Sequence, residues 1–240
     1  MKKIINKFLF LLSLTILLTK TLHADTWYFR ENAGIIGEVN DKIILDVSQT
    51  NWFTPENVWQ LSVFDPNILL RIKGENFLGF NTAYAIYRST FSGELTREFS
   101  PGVFVDNEFK IGKKFKFQTT LATYYRSIEK SDDWALAKLE VSLDLLKYKC
   151  LKFYVNNKFY YNSYDTQRYD FNRLTFGCFC HVNKHFLTNF YYIFQKRKFA
   201  VGASWSDSHV FGLDLKFKIW NPKVLRKEKR PLEQVPEVFY

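Results

Sequence analysis

The sequence predicts an all-β chain, a closed antiparallel up-and-down transmembrane β-barrel of about ten strands, with twelve as the larger option. Three observations carry this. Apolar and polar residues alternate with a period of two through most of the chain after Asp25, which gives each strand two chemically different faces. The alternating runs are about 10 to 13 residues long, enough for a tilted strand to cross a bilayer and longer than the usual five or six of globular sheets. The connections are short and long by turns, as in barrels with tight turns on one side of a membrane and loops on the other.

The chain begins with a leader. Met1-Lys2-Lys3 is positive, Phe8 to Leu18 is apolar, and Leu22-His23-Ala24 places a small residue before Asp25. This is the pattern of a cleaved bacterial signal peptide over residues 1–24, and the apolar run is too short for a spanning helix. No later segment is apolar enough to span as a helix, so insertion must use strands. The chain has 34 Lys and Arg against 24 Asp and Glu. Without the four leader lysines the balance is +6, and the charges are interleaved in both signs, which excludes a nucleic-acid stripe.

The barrel is expected over residues 25–220. Its clearest strands lie in the second half. Phe115, Phe117, Leu121 and Tyr125 alternate with Lys116, Gln118, Thr120, Tyr124 and Arg126. Ala135 to Leu145 alternate with Leu136, Lys138, Glu140, Ser142 and Asp144, and Leu151, Phe153, Val155, Phe159 and Tyr161 with Lys152, Tyr154, Asn156, Lys158 and Tyr160. His209 to Ile219 alternate with Val210, Gly212, Asp214, Lys216 and Lys218. Further strands are read at 102–111, 169–181 and 186–196, then at 38–48, 57–72 and 77–89. Adding 27–36, and splitting 57–72 at Asp65-Pro66, gives twelve. Either even count leaves both ends of the barrel on the periplasmic side. Residues 221–240, with three prolines, read as a periplasmic extension.

A soluble lipocalin-like barrel has the same period with the apolar face inward. Strand length and aromatic residues near opposite strand ends, such as Phe153 and Tyr161, favour the outward orientation. The inward face then carries Arg71, Arg88, Asp106, Glu108, Lys110, Lys116, Lys138, Glu140, Asp144, Lys152, Lys158, Arg173, Asp214, Lys216 and Lys218. In a barrel this small such side chains fill the lumen and pair with one another. The competing reading is a narrow, weakly anion-preferring pore.

Three cysteines, Cys150, Cys178 and Cys180, are an odd count for an exported protein. A hairpin of 150–162 with 169–181 sets Leu151 opposite Cys180, and alternation turns Cys150 and Cys180 to different faces, against a disulfide between them. Cys178-x-Cys180-His181 is a poor metal site for the same reason, and no metal or other cofactor is expected.

The segment from Lys152 to Ile219 resembles the outer-membrane barrel family known as domain of unknown function 2490. The residues that carry the likeness are Phe159-Tyr160-Tyr161-Asn162, Tyr169-Asp170-Phe171-Asn172-Arg173-Leu174 with Gly177, Phe190-Tyr191-Tyr192-Ile193, and Gly212-Leu213-Asp214-Leu215. The resemblance implies a monomeric barrel without an established activity. Asp207-Ser208-His209, with Asp132-Asp133, is similar to the paired acid and Asp-His elements of omptin proteases, in which a carboxylate orients an imidazole as a base. Alternation can point Asp207 and His209 outward, and loops are charged by default, so no catalytic residue is assigned.

The expected protein is a non-enzymatic barrel in the outer membrane of a Gram-negative-type bacterium. Its role is structural, at the surface, or that of a narrow solute pore. Outer-membrane lipid and lipopolysaccharide, and the barrel-assembly machinery during insertion, are the expected partners, with no nucleic acid. A barrel-embedded hydrolase, omptin-like or lipid-modifying, and a soluble periplasmic lipid-binding barrel are the alternatives.

Overall fold

The computed structural model describes residues 26–55, 58–88, 93–111, 115–129, 134–148, 150–162, 171–183, 185–197 and 206–219. The expected signal peptide (1–24) and C-terminal extension (221–240) lie outside the described residues. Eleven strands are present: β1 (Thr26–Glu38), β2 (Ile43–Phe53), β3 (Trp59–Lys73), β4 (Asn76–Arg88), β5 (Leu95–Ile111), β6 (Phe115–Ile128), β7 (Trp134–Tyr148), β8 (Leu151–Asn162), β9 (Phe171–His181), β10 (Phe186–Arg197) and β11 (Ser206–Ile219). Each pairs antiparallel with its neighbour in sequence, and β1 closes the ring against β11. The connections are two to four residues long at one end and five to eight at the other.

The closing pair differs from the expected scheme. β1 and β11 run parallel, from Thr26 opposite Ser208 to Gly37 opposite Ile219. The segment 27–36 is a strand, but 57–72 is not split, so the count is odd. The ends of the barrel therefore emerge at opposite mouths, Thr26 at the long-loop end and Ile219 at the short-turn end, not on one side together.

Local chemistry explains where the strand limits moved. The run read as one strand at 38–48 is broken at Asn40, whose side-chain Oδ1 accepts the N–H groups of Lys42 (2.8 Å) and Ile43 (2.9 Å). This Asx turn reverses the chain between β1 and β2. Pro66, where the twelve-strand option splits 57–72, and Pro101, at the end of the expected loop 90–101, both lie inside strands. The β3–β4 ladder passes from Phe64 to Asn67 without pairing Asp65 or Pro66, and the β5–β6 ladder passes from Phe99 to Gly102 around Pro101. Each proline occupies a rung where no N–H is required.

The barrel is apolar outside, and its interior combines polar and charged side chains with buried apolar ones such as Ile36, Ile44, Leu69, Phe77 and Phe104. Leu139 and Leu215 are exposed, at 44% and 37%, while their neighbours Lys138 and Asp214 are buried at 3% and 1%. Phe29, Phe64, Phe80, Phe99, Leu121, Phe176 and Phe190 continue the exterior belt. A water-soluble barrel inverts this distribution.

Four inward glycines share one device. Gly79, Gly102, Gly177 and Gly212 stand directly opposite Phe104, Tyr124, Tyr154 and Tyr191. At each, a Cβ would fall within 2.4 Å of the partner's ring. The missing side chain lets the aromatic ring lie flat across the neighbouring strand and fill the lumen wall.

Candidate functional site: the charged lumen

Inward positions of all eleven strands meet in an interior where charged and polar groups lie among buried apolar side chains. On the β11–β1–β2 wall, three residues from the short-turn ends of β11 and β2, Lys216 Nζ and Asp46 Oδ2 are 2.7 Å apart, each side chain 1% exposed. Around the ring, Glu140 pairs with Lys138 and Lys158, both at 3.2 Å, and accepts a 2.6 Å hydrogen bond from Asn156 Nδ2. Asp214 accepts from Tyr191 Oη (2.9 Å) and Asn189 Nδ2 (3.2 Å). Asp65 accepts from Asn81 Nδ2, which also donates to Asn67 Oδ1 at 3.0 Å.

Toward the short-turn end, Lys152 pairs with Asp144 at 3.1 Å, Lys116 with Glu108, and Arg71 with Glu38 at 3.7 Å. Toward the long-loop end the cations rest on aromatic faces. Arg173 lies 5.2 Å from the Trp52 ring centre and 5.7 Å from that of Tyr160, and Arg30 lies 5.5 Å from Tyr191 and 5.9 Å from Trp52. Arg173 Nε also donates to Gln195 at 2.6 Å, and Arg126 grips Glu98 through two nitrogens.

The free space among these groups is a cavity of about 50 Å³. The lining holds four cations (Arg30, Lys138, Lys158, Arg173) and four anions (Asp106, Glu140, Asp144, Asp214). That is room for a few water molecules, with no net charge among its ionisable walls.

Of the charges expected on the inward face, Arg71, Asp106, Glu108, Lys116, Lys138, Glu140, Asp144, Lys152, Lys158, Arg173, Asp214, Lys216 and Lys218 occupy inward positions. Lys110 shares that parity but is exposed at the short-turn rim. Arg88 is a correction. In β4 the odd positions Phe77, Gly79, Asn81 and Ala85 are buried, so the even Arg88 points outward at the long-loop rim. Arg30, Asp46, Asp65 and Glu98 are lumen residues the sequence reading passed over. Tyr28, Arg30 and Asn32 alternate with Trp27 and Phe29, a signal that was present but isolated. Glu98 fell in a stretch read as loop because of Pro101.

His209 sits on the outward parity, wholly covered. Trp27 stacks on it with centroids 4.4 Å apart, Phe194 lies beside it, and Tyr192 Oη meets its Nδ1. Asp207 faces Lys196 at 3.9 Å instead. The Asp-His element is therefore not assembled as a base, and Asp132-Asp133 lies outside the described residues. Among the described residues no three metal-ligating side chains converge.

The hairpin register of β8 and β9 pairs Leu151 with Cys180. The thiols nevertheless approach, with Cys180 Sγ 3.5 Å from Cys150 Sγ. Cys150 lies in the turn before β8, so strand alternation does not fix its side chain, and the expected divergence is corrected.

No family model and no curated protein matches the chain, so the likeness to domain of unknown function 2490 rests on its short motifs alone. Solved structures similar to this chain include two of OmpT. One is OmpTdeltaL8, a loop L8 deletion mutant of OmpT, an outer-membrane protein of Vibrio cholerae, with TM-score 0.40 and 10% identity over 66% of this chain and 55% of that one. The other is outer-membrane expressed OmpT of Vibrio cholerae, with TM-score 0.38 and 10% identity over 65% and 55%. The chain thus spans about half the length of these structures.

Proposed function

We propose that this chain is a non-enzymatic bacterial outer-membrane barrel with a blocked lumen, working as a structural or surface element of the membrane and not as an open conduit. The observation that carries the reading is the Lys216–Asp46 pair, 2.7 Å apart with each side chain 1% exposed. An open aqueous channel hydrates its wall charges; these two charges touch each other instead. The linked Lys138–Glu140–Lys158 group lines the β7–β8 wall on the far side of the ring, and side-chain filling is what a barrel of this size produces. The inverted exterior and the long alternating strands support the membrane location. His209, the imidazole of the Asp-His element, is covered and on the outward face.

Planar bilayers with the inserted chain test this. Wild type is expected to show no stable conductance steps, and Asp46→Ala/Lys216→Ala is expected to introduce them. Steady conductance of wild type, altered by Lys138→Met or Arg173→Met, overturns the reading in favour of a narrow pore.

A further inference from the structure

One stretch of the exterior breaks the apolar belt. Glu31 of β1 points outward and is exposed. Other outward charges, Arg88, Arg97, Lys196 and Asp207, lie within two residues of a strand end. Glu31 instead is the sixth of thirteen residues in β1, about 17 Å along the strand from its start. A charged side chain facing lipid is costly at that depth and marks a functional surface by default.

Glu31 has polar company on the same face. Directly opposite it stands Asn51 of β2, and opposite Asn51 stands Ser62 of β3. Gln49 Nε2 donates to Ser62 Oγ at 2.6 Å and reaches Asn51 Oδ1 at 3.5 Å, while Ser62 Oγ donates to Asn51 Oδ1 at 2.7 Å. The three side chains thus satisfy one another in part. What is left over is specific: among the described residues the Asn51 amide N–H groups donate to nothing, and neither Glu31 oxygen nor Gln49 Oε1 accepts anything. Ala33 lies between Glu31 and Ile35 on the outward face and opposite Gln49, so the patch is shallow. Phe29, Val47, Phe64 and Phe211, all exposed, frame it.

We propose that Glu31, Gln49, Asn51 and Ser62 form the two-fold face through which two copies of this barrel associate side by side in the membrane. An isologous interface needs a surface that complements itself, with residue i meeting j and j meeting i. A spare carboxyl group beside a spare amide donor meets that condition. Under a two-fold axis each Glu31 accepts from Asn51 of the second copy, and both bonds form away from water and lipid. The framing aromatics bury around them, giving a polar centre with an apolar surround, and polar side chains hold membrane segments together in this way. A phosphate-bearing headgroup is a poor occupant, since the one charge present is acidic. The inference rests on the exterior being lipid-facing, and it replaces the monomer that the family resemblance implies.

The test uses the full chain carrying amine-reactive donor and acceptor dyes, inserted in phosphatidylcholine vesicles over a range of protein-to-lipid ratios. Energy transfer is expected to rise with ratio to a dimer plateau. Glu31→Leu and Asn51→Leu are each expected to raise the dimer dissociation constant by at least about tenfold. Both substitutions add apolar surface toward lipid, so the barrel should still insert, and heat-modifiable gel mobility reports this directly. Flat energy transfer at every ratio with inserted protein overturns the dimer alone, as does transfer that neither substitution changes. Retention of phosphatidylethanolamine by monomers, lost in Glu31→Leu, overturns it in favour of an amine headgroup. A chain that stays soluble without detergent and does not insert fails the membrane reading instead.

Discussion

Replacing Lys216 by Met removes one buried ammonium group from the lumen wall and keeps the length of its stem. At 2.7 Å the pair with Asp46 attracts by about 6 kcal/mol if the effective dielectric constant is about 20. Much of that offsets the desolvation of two buried ions, so the pair as a whole contributes little. Breaking it is different. Asp46 then keeps a carboxylate that is 1% exposed, and its Oδ1 already lacks a hydrogen-bond partner in the described structure. Leaving such a charge unpaired costs about 3–5 kcal/mol, or roughly two to three and a half orders of magnitude in the folding equilibrium. Asp46→Leu/Lys216→Met removes both charges and is expected to return to within about 1 kcal/mol of wild type or better. Urea unfolding of the vesicle-inserted barrel, followed by tryptophan emission, measures both variants. If Lys216→Met alone costs less than about 0.5 kcal/mol, the size of an ordinary surface change, then Asp46 is hydrated in the lumen and the blocked interior is wrong.

Three further outcomes are expected. Gly79→Val should cost about 1–3 kcal/mol in the same unfolding assay, because the new side chain occupies the seat of the Phe104 ring; Phe104→Leu in addition should recover part of the loss. Leu139→Arg should cost about 2–4 kcal/mol if it faces the bilayer interior, and a neutral result would place Leu139 outside the lipid. Treatment with a small disulfide reagent should join Cys150 to Cys180 by thiol–disulfide exchange, leaving one thiol for maleimide. Cys178→Ser should not prevent that bridge and Cys180→Ser should, as read by mass spectrometry.

The second half of the barrel was legible because its strands repeat a single rule. From Lys116 to Lys218, alternation assigns the inward charges strand after strand, and the turn lengths assign the ends. The first third was harder for identifiable reasons. Asn40 turns the chain through its own side chain, with no glycine or proline to mark the spot. Pro66 and Pro101 sit in strands because the neighbouring ladder skips their rungs, which only the register reveals. The same misreading hid Glu98. Arg88 shares the outward parity of Tyr84 and Phe80, which the expected strand 77–89 already fixes. The Cys150–Cys180 approach could not be read from alternation, since Cys150 is a turn residue. Nothing in the sequence distinguishes a parallel closing pair from an antiparallel one, because both present the same period to the solvent and to the lipid.

That closing pair has a topological consequence. The strands that complete the ring are separated by nearly the whole length of the domain, so no hairpin can template their union, and the cylinder can seal only when the final segment arrives beside the first. Because those two segments point the same way, a protease site placed ahead of Thr26 and another placed after Ile219 would report from opposite compartments. A single cell with one site cut and the other protected would reveal which mouth looks outward.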